Sequence, residues 1–305
     1  MSTPPADTFF VRDGDRDRLD RFLVRHLPGC SRRVARDAIG AGAVWVNGRA
    51  GHKAQALQTG DVVRIDRTVF ERQPAAQPDL AVPLLYADDA MVAVDKPAGM
   101  PTTALRASDR DTVANYLFGR YSELRGVGGS TFEAGLVHRL DTATSGVLLA
   151  ARTQAAWRNL RAQFRTRRVG KLYLAVVAGL VPRRGTVDAP IAQRQRRVSV
   201  SPRANRDRSA PRPALTRYRP LRRGRTATLV SIQIPTGVRH QIRAHLAAIG
   251  HPVLGDPLYG GASAARLAPR LLLHAARLRV AHPISGARVI IRSRLPVDFQ
   301  TALRG

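Results

Sequence analysis

The apolar positions in the first part of the chain follow a helical period and then an alternating one. In the stretch DRLDRFLVRHL they recur at helical spacing, at Leu19, Phe22, Leu23 and Leu27. A second short helix is predicted from the N-cap candidate Ser31 to Ile39. The alternating segment AVWVNGRAG contains Asn47-Gly48, a strong hairpin-turn signal, and TGDVVRID predicts a further turn and strand. Residues 16–66 are therefore predicted to form a helix-helix-hairpin unit.

The segments on either side of this unit lack such periodicity. Residues 1–15 are predicted to be a polar N-terminal tail. Residues 67–83 contain Pro74, Pro78 and Pro83, a composition typical of a semi-rigid linker. A second domain is predicted to occupy residues 84–305.

Strands and helices are predicted in mixed order after residue 84. Apolar runs indicate strands at about 146–152, 171–178, 226–234 and 287–293. Helical spacing indicates helices at 154–167 and about 238–249. Because these elements do not alternate regularly as βαβ units, the predicted fold class is α+β.

The charge balance points to a polyanionic partner. The 305 residues include 50 lysines and arginines against 22 aspartates and glutamates, which gives a formal net charge of +28. The sequence pI is about 11.8, and a chain this basic favours a nucleic acid as its partner. A general preference for arginine is the competing explanation, since Lys53, Lys96 and Lys171 are the only lysines. That preference accounts for arginine in place of lysine, but it does not account for the excess of positive charge.

The densest basic stretch covers residues 191–225. Its only acid is Asp207, and its arginines are Arg194, Arg196, Arg197, Arg203, Arg206, Arg208, Arg212, Arg217, Arg219, Arg222, Arg223 and Arg225. A one-sided run that also contains Pro202, Pro211 and Pro213 cannot offset its ordering entropy by burial. The sequence therefore predicts a mobile loop that becomes ordered on a polyanion.

Cysteine, histidine and the N-terminus disfavour several other classes of protein. The single cysteine, Cys30, can form no internal disulfide or thiol-based zinc site, which favours a reducing compartment. The N-terminus lacks a signal peptide, and no stretch approaches the ~18 apolar residues that a membrane span needs. His240 and His245 lie five residues apart without an acidic cluster nearby. We therefore expect a soluble cytoplasmic protein without a membrane partner or a catalytic metal.

Asp141 lies in the run GLVHRLDTATSG, residues 135–146. An isolated aspartate in a basic protein is usually an exposed salt-bridge partner. Here it falls between the apolar AGLV and the predicted strand GVLLAA, and thus in a turn between two core-bound segments. Carboxylates in such places are rarely buried unless they are paired. Asp141 is therefore a candidate for chemistry rather than for a surface ion pair.

Five segments, taken together, resemble the RluA-type pseudouridine synthases. HRLDTATSG matches that family's active-site motif HRLDxxTSG. The other four are LYADDAMVAVDKPAGMPT, KLYLAVVAG, RPALTRY and HQIRAHLAAIGHPVLGDPLYG, and all five occur in the family's order between residues 84 and about 285. The resemblance implies a mixed, largely antiparallel sheet flanked by helices. It also implies the isomerisation of uridine in RNA to pseudouridine without a cofactor.

The resemblance further implies three catalytic residues. Asp141 would be the nucleophile, and Arg243 its ionic partner, which keeps the carboxylate ionised and oriented. Tyr173 would stack on the uracil and help to move the C5 proton. Attack of Asp141 on the sugar C1′, its attack on the uracil ring and proton abstraction from the sugar all remain open.

Contacts with the substrate follow from the same resemblance. The target base has to leave its stack before it can react. Arg139 is implied to hold the position that the base vacates, and His138 and Lys171 are implied to contact the substrate. Lys96, in the Lys-Pro-x-Gly turn, is predicted to contact RNA phosphate or backbone, because its ammonium is a compact point charge.

The loop before the last helix departs from the family pattern. The family usually has Thr-Gly-Arg-Thr-His-Gln, whereas this chain has TGVRHQ. Val238 thus stands where arginine is usual, and Arg239 where threonine is usual. The RNA-phosphate contact of this loop is therefore either lost or moved by one residue, and Arg239 is the candidate for the moved contact.

The N-terminal unit resembles the S4 RNA-binding domain. The resemblance lies in SRRVARDAIGAG, VWVNG and GDVVRI, over about fifty residues. It implies that Arg32, Arg33 and Arg36 contact RNA phosphates. The alternative is that these arginines form the solvated face of an amphipathic helix.

Together these observations predict a monomeric RNA pseudouridine synthase that acts on structured RNA. Ribosomal RNA of the large subunit is the favoured substrate, because family members with an S4 module mostly modify it, and tRNA is the alternative. A non-catalytic RNA-binding factor in ribosome assembly is the main rival from another class. A hydrolase that uses Asp141 is a more distant one, since no motif supplies a second carboxylate.

Overall fold

The N-terminal unit packs two helices on a small sheet. The computed structural model describes residues 6–27, 30, 32–68, 74–194, 197–200 and 210–304, without the side chains of Arg33, Gln193 and Arg194. Along the chain, strand β1 (Ala6–Phe10) is followed by helices α1 (Leu19–His26) and α2 (Arg32–Gly40). Strands β2 (Val44–Val46), β3 (Arg49–Ala50) and β4 (Val62–Asp66) come after the helices. The strands pair antiparallel in the order β1-β4-β2-β3.

This unit confirms the predicted helices and hairpin. The apolar faces of both helices and of the sheet enclose one core, which includes Phe22, Ile39 and Ile65. The predicted turn joins β2 to β3, with Asn47 and Gly48 at positive φ values of 51° and 77°. Such a two-residue turn matches the twist of its flanking strands.

The prediction of a polar tail over residues 1–15 is wrong for residues 6–10, which form β1. This strand pairs with β4 over five residues, from Ala6 opposite Asp66 to Phe10 opposite Val62. The ring of Phe9 packs edge-on against Phe22 with 6.3 Å between the centroids. The segment is too short to show periodicity, but its aromatic side chain anchors it to the core.

The described part of the predicted linker, residues 74–83, packs on the larger unit. The carbonyl of Ala75 accepts a hydrogen bond of 2.7 Å from the side-chain amide of Asn115. Gln77 exchanges two hydrogen bonds with Asp111, of 3.0 and 2.8 Å. Val82 is buried in the main core. This stretch is therefore a packed strap rather than a free spacer.

The larger unit is built on a nine-stranded sheet. Its strands are β5 (Leu84–Ala87), β6 (Met91–Lys96), β7 (Ser145–Ala151), β8 (Gly170–Ala178), β9 (Gly185–Asp188), β12 (Leu215–Arg223), β13 (Ala227–Gln233), β14 (Leu273–Ala281) and β15 (Arg288–Arg292). Their order is β5-β6-β7-β14-β8-β13-β12-β9, and β15 pairs with β14. Every pairing is antiparallel except that of β7 with β14. This confirms the predicted α+β class.

Helices cover both faces of this sheet. They are α3 (Val113–Arg120), α4 (Gln154–Arg165), α5 (Gln241–Ala248), α6 (Gly261–Arg266) and α7 (Val297–Arg304). Helices α3 and α5 pack on one face, and α4 and α7 pack on the other. From Val147 to Ala151 of β7 successive side chains are buried alternately in the two cores, which is why this part of the strand is apolar. No helix in the described ranges is long and apolar enough to span a membrane.

The mobile loop predicted for residues 191–225 is wrong for most of that stretch. Strands β10 (Ile191–Arg194) and β11 (Arg197–Val200) form a hairpin, and β12 pairs on both sides within the large sheet. Residues 201–209 lie outside the described residues. Alternate positions of β10 to β12 carry apolar or small side chains, such as Ile191, Val198 and Ala214, which form a core with α5. These contacts order a segment that its arginine content alone would leave unfolded.

Gly146 allows the close approach of β7 and β14. A Cβ atom there would lie 2.4 Å from the backbone oxygen of Ala275, and φ is +112°. Gly146→Ala should therefore lower the free energy of unfolding by about 3 kcal/mol or more, since backbone strain and overlap act together. Urea unfolding followed by circular dichroism measures this.

Gly40→Ala provides the matched control. Nothing lies within 4 Å of a Cβ atom at that position. It should change the free energy of unfolding by less than about 1 kcal/mol. Equal effects of the two substitutions would show that the approach of the two strands is not sterically limiting.

Candidate active site

A cavity of about 970 Å³ opens beside the run 135–146. Its lining comes from that run, from α4, from the first residues of β8 and from the loop that leads into α5. Asp141 is the only acid among the described residues that line the cavity. The nine basic side chains are Arg139, Arg158, Arg161, Arg165, Arg167, Lys171, Arg212, Arg239 and Arg243. Such a pocket attracts a polyanion and surrounds one carboxylate with positive charge.

Asp141 stands in the turn that leads into β7. Its carbonyl accepts a hydrogen bond of 3.0 Å from the amide of Thr144, which closes the turn. The side chain is a quarter exposed, and its carboxylate accepts no hydrogen bond from the described residues. The nearest side-chain nitrogens are the Nη1 atom of Arg243 at 3.6 Å and the Nε2 atom of His240 at 3.8 Å. The carboxylate thus keeps its lone pairs open to the cavity.

Arg243 is held by a second carboxylate that sequence analysis gave no role. Its Nε and Nη2 atoms donate hydrogen bonds of 2.7 and 2.6 Å to the two oxygens of Asp256. The amides of Leu258 and Tyr259 donate to the same carboxylate at 2.9 and 3.1 Å. This bidentate pair fixes the guanidinium plane, and Nη1 is left to face Asp141. The predicted pairing of Arg243 with Asp141 is therefore present as a longer contact, oriented from behind by Asp256.

The electrostatics of this pair follow from its burial. Desolvation alone would raise the pKa of Asp256, but the hydrogen bonds and the charge of Arg243 hold that pKa below its ordinary value. Desolvation works against the guanidinium as well, yet Asp256 and Asp141 together raise the pKa of Arg243. Both groups are therefore ionised at neutral pH.

Tyr173 lies on β8 and forms part of the cavity wall. Burial raises the pKa of its hydroxyl, and the negative charge of Asp141 raises it further. Among the described residues nothing hydrogen-bonds to this hydroxyl. Tyr173 is therefore a neutral phenol whose ring and hydroxyl are both available to a ligand.

Lys96 does not contact RNA, contrary to its predicted role. It is fully buried, and its ammonium donates to the carbonyls of Pro97, Met100 and Thr142 at 2.8, 2.7 and 2.9 Å. Burial lowers the pKa of Lys96 to about 8, and Asp141 opposes this shift. Lys96 therefore remains mostly protonated at neutral pH. It ties the turn after β6 to the residue that follows Asp141.

His138 is built into the wall instead of being free to bind. Its Nε2 atom accepts a hydrogen bond of 3.1 Å from the amide of Leu149, and its ring stacks on Phe164 with 4.8 Å between the centroids. Burial lowers the pKa of His138 to about 3, and Lys171 and Arg161 contribute to this shift. The ring is therefore neutral, and its accepting Nε2 atom places the remaining proton on Nδ1.

Arg139 and Lys171 occupy different surroundings on the cavity. Arg139 is exposed and makes neither a hydrogen bond nor an ion pair with a described residue. Lys171 is half-buried and donates a hydrogen bond of 2.9 Å to the carbonyl of Thr236. Burial lowers the pKa of Lys171 to about 8, together with the charge of Arg167. Arg139 is free to move with a ligand, whereas Lys171 braces the loop before α5.

The loop before α5 presents Arg239 to the cavity and turns Val238 away from solvent. Gln241 holds the loop, because its side-chain oxygen accepts from the hydroxyl of Thr236 at 2.9 Å and from the amide of Val238 at 3.1 Å. Val238 packs with Tyr259 on the small core of α5. The arginine of this loop thus reaches the cavity from position 239.

The arginines predicted to bind RNA in the N-terminal unit lie on α2. Arg32 and Arg36 are exposed, and the Nε atom of Arg36 donates a hydrogen bond of 3.0 Å to the carbonyl of Arg32. The side chain of Arg33 lies outside the described residues. Their exposure suits phosphate contacts and a solvated helix face equally.

Comparison with known proteins identifies the family. The model of the RNA pseudouridylate synthase family matches residues 90–248, and that of the S4 domain matches residues 17–63. The chain belongs to the RNA pseudouridylate synthase family. It is therefore an isomerase that converts uridine in RNA to pseudouridine.

Individual relatives cover almost the whole chain. An RNA pseudouridine synthase of Chloroflexus aurantiacus is 38% identical and spans 94% of this chain and 89% of its own length. The ribosomal large subunit pseudouridine synthase D of Xanthomonas campestris is 35% identical and spans 93% of this chain and 87% of its own length. The solved structure of human RNA pseudouridylate synthase domain containing 4 superposes with a TM-score of 0.59 at 28% identity, over 72% of this chain and 91% of that one. This similarity confirms the predicted fold of the larger unit.

Lys96→Met tests the structural role of this lysine. Three buried carbonyls would lose their donor, so the free energy of unfolding should fall by at least about 2 kcal/mol. The affinity for RNA at fixed salt should stay within about twofold, because no phosphate contact is removed. Urea unfolding and a salt titration of RNA binding measure the two quantities.

Arg158→Met gives the opposite control. Arg158 is exposed on the cavity rim. If it contacts a phosphate, its loss should leave stability unchanged and reduce the salt slope of RNA binding by about one. A reduced slope for Lys96→Met at normal stability would restore the RNA-binding assignment of Lys96.

Proposed function

We propose that the chain isomerises uridine in large-subunit ribosomal RNA, with Asp141 as the nucleophile and a base flipped into the cavity. The observation that carries this proposal is the placement of one open carboxylate against an oriented guanidinium, in a cavity whose lining also includes eight further arginines and lysines. RNA pseudouridine formation cleaves the bond from N1 to C1′ and forms a bond from C5 to C1′. The C5 proton is released, and N1 gains one.

Asp141 suits this chemistry because its carboxylate accepts no hydrogen bond from the described residues and faces the cavity. Attack on C1′, attack on the uracil ring and proton abstraction from the sugar each need a carboxylate beside the glycosidic bond. Arg243 places a positive charge 3.6 Å from this carboxylate, and Asp256 keeps Arg243 from turning toward solvent. One carboxylate is sufficient for each of the three routes.

Tyr173 supports both binding and proton transfer. Its ring lies in the cavity wall and offers an apolar face to a uracil. Its hydroxyl is neutral and has no partner among the described residues, so it can relay the proton that leaves C5 by passing on its own proton as it takes that one up. We assign it both roles.

The cavity also suits a flipped nucleotide. A base inside a helix cannot reach Asp141, so the nucleotide has to swing out of its stack. Arg139 is exposed on the rim beside Asp141, and its long side chain can occupy the vacated position. The surrounding arginines can hold the flanking phosphates.

The S4-like unit, residues 16–66, is proposed to deliver the enzyme to structured RNA. Exposed arginines on α2 provide the positive surface that this requires. The choice of large-subunit ribosomal RNA rests on the relatives that carry that substrate in their names, such as the one from Xanthomonas campestris. Four segments were predicted, 1–15, 16–66, 67–83 and 84–305. The first contains β1, which joins the small sheet, and the third contains the strap that packs on the larger unit.

Asp141→Asn should abolish the conversion of uridine to pseudouridine and leave RNA affinity within about threefold, since the amide is isosteric but not nucleophilic. Tritium release from RNA labelled at uracil C5 measures conversion under single turnover. Asp89→Asn, in an exposed turn, is the matched control and should convert at the normal rate. Normal conversion by Asp141→Asn would eliminate the nucleophile assignment.

The RNA substrate is identified by mapping pseudouridines in total RNA from cells with and without the protein. We expect loss at one or a few positions of large-subunit ribosomal RNA, and restoration by the wild-type chain but not by Asp141→Asn. Loss confined to tRNA would show that the enzyme is a tRNA-modifying synthase. An unchanged map, with normal RNA binding, would support the non-catalytic assembly factor.

A further inference from the structure

Tyr259 contacts three parts of the site without itself facing Asp141. Its hydroxyl accepts a hydrogen bond of 2.8 Å from the amide of Val198 on β11. The same hydroxyl lies 3.0 Å from the Nδ1 atom of His240. Its ring faces the guanidinium of Arg243, with 5.2 Å from the guanidinium carbon to the ring centroid. One side chain thus connects the basic hairpin with both groups that approach the Asp141 carboxylate.

One arrangement of the protons along this chain gives every donor an acceptor. The amide of Val198 can only donate, so the oxygen of Tyr259 is its acceptor. The Nδ1 atom of His240 is the other described partner of this hydroxyl, and it satisfies the hydroxyl proton when it accepts. A neutral imidazole that accepts at Nδ1 carries its proton on Nε2. That Nε2 atom is the one that lies 3.8 Å from Asp141.

His240 is placed to keep this arrangement neutral. Its side chain is only 7% exposed, and it sits at the N-cap of α5 with a positive φ of 54°. Burial lowers the pKa of His240, Asp141 and Asp256 oppose this, and Arg243 and Arg239 reinforce it. A neutral ring with Nε2–H toward Asp141 orients the carboxylate without adding a second charge as close as that of Arg243.

The hairpin is packed as well as hydrogen-bonded to this residue. Val198 is buried in a small core with Ala244 of α5, and Tyr259 packs against the same core. The neighbouring Arg197 is exposed on the same strand. A displacement of β11 would therefore move the group that holds His240.

We propose that Tyr259 is a positioning residue, which through its hydroxyl fixes the Nε2–H tautomer of His240 toward Asp141 and through its ring fixes Arg243. This rests on the proposed function of Asp141. It also makes the β10–β11 hairpin part of the active-site scaffold, because the backbone amide of Val198 on β11 donates a hydrogen bond to the Tyr259 hydroxyl.

Tyr259→Phe tests the proposal, because it keeps the ring over Arg243 and removes only the hydroxyl. The single-turnover rate at neutral pH should fall on the order of ten- to hundredfold, since a misplaced reacting group costs that much. The dissociation constant for RNA should stay within about threefold, because no phosphate contact changes. Tyr218→Phe, on β12 outside the cavity lining, is the matched control and should react at the normal rate.

The pH profile and the tautomer give readouts that a general loss of packing would not move. Without the donated hydroxyl proton, Nδ1 is free to bind a proton and the pKa of His240 should rise. The acid limb of the rate profile should therefore move to higher pH in Tyr259→Phe. In the free protein, nitrogen chemical shifts of labelled histidine should report the Nε2–H tautomer of His240 for the wild type and a mixture for the variant.

A double-mutant cycle tests whether Tyr259 acts through His240. The rate of His240→Ala combined with Tyr259→Phe should match that of His240→Ala alone. Additive losses, an unmoved acid limb or an unchanged tautomer would each overturn the proposal. Asp141→Asn in the same assay separates the two failures. Conversion by that variant overturns the proposed function, whereas its inactivity beside a normal Tyr259→Phe overturns only the role of Tyr259.

Discussion

The structure of the active site depends on the buried ion pair between Arg243 and Asp256. A guanidinium removed from water is stable only when its donors are satisfied, and Asp256 satisfies two of them with short, parallel hydrogen bonds. Asp256 in turn accepts two backbone amides, so neither partner can rotate. The remaining Nη1 atom has one direction left, toward Asp141. The pair therefore fixes one guanidinium nitrogen beside the carboxylate of Asp141.

The sheet supplies the other half of this geometry. Asp141 precedes β7, whose parallel pairing with β14 begins at Ser145 opposite His274. Gly146 lets the two backbones approach each other. The ammonium of Lys96 donates hydrogen bonds to three carbonyls, including that of Thr142 in the turn. The carboxylate thus stands on a turn fixed from two directions. Rigid support of this kind keeps a reacting group within the small tolerance that catalysis allows.

Much of the fold could be predicted from the sequence, because periodicity reports which faces are buried. The strands near 146–152 and 171–178 and the helix near 154–167 were predicted within a few residues of β7, β8 and α4. Prediction failed where tertiary contacts override composition. The arginine content of β12 suggests a solvated loop, yet the strand is paired on both sides. Lys96 looks like an RNA contact until the fold brings three carbonyls around it. Asp256 lies within the segment HQIRAHLAAIGHPVLGDPLYG, but only the fold shows that its carboxylate holds Arg243.

Under the proposed function, the basic residues of the cavity have two tasks, which fall to different arginines. Arginines exposed on the rim, such as Arg139 and Arg158, can pair with the phosphates of an approaching RNA. Arg243 is buried and already hydrogen-bonded to Asp256, so no phosphate can draw it away from Asp141. The rim would therefore attract the substrate, while the contact that orients Asp141 stays the same after the substrate has arrived.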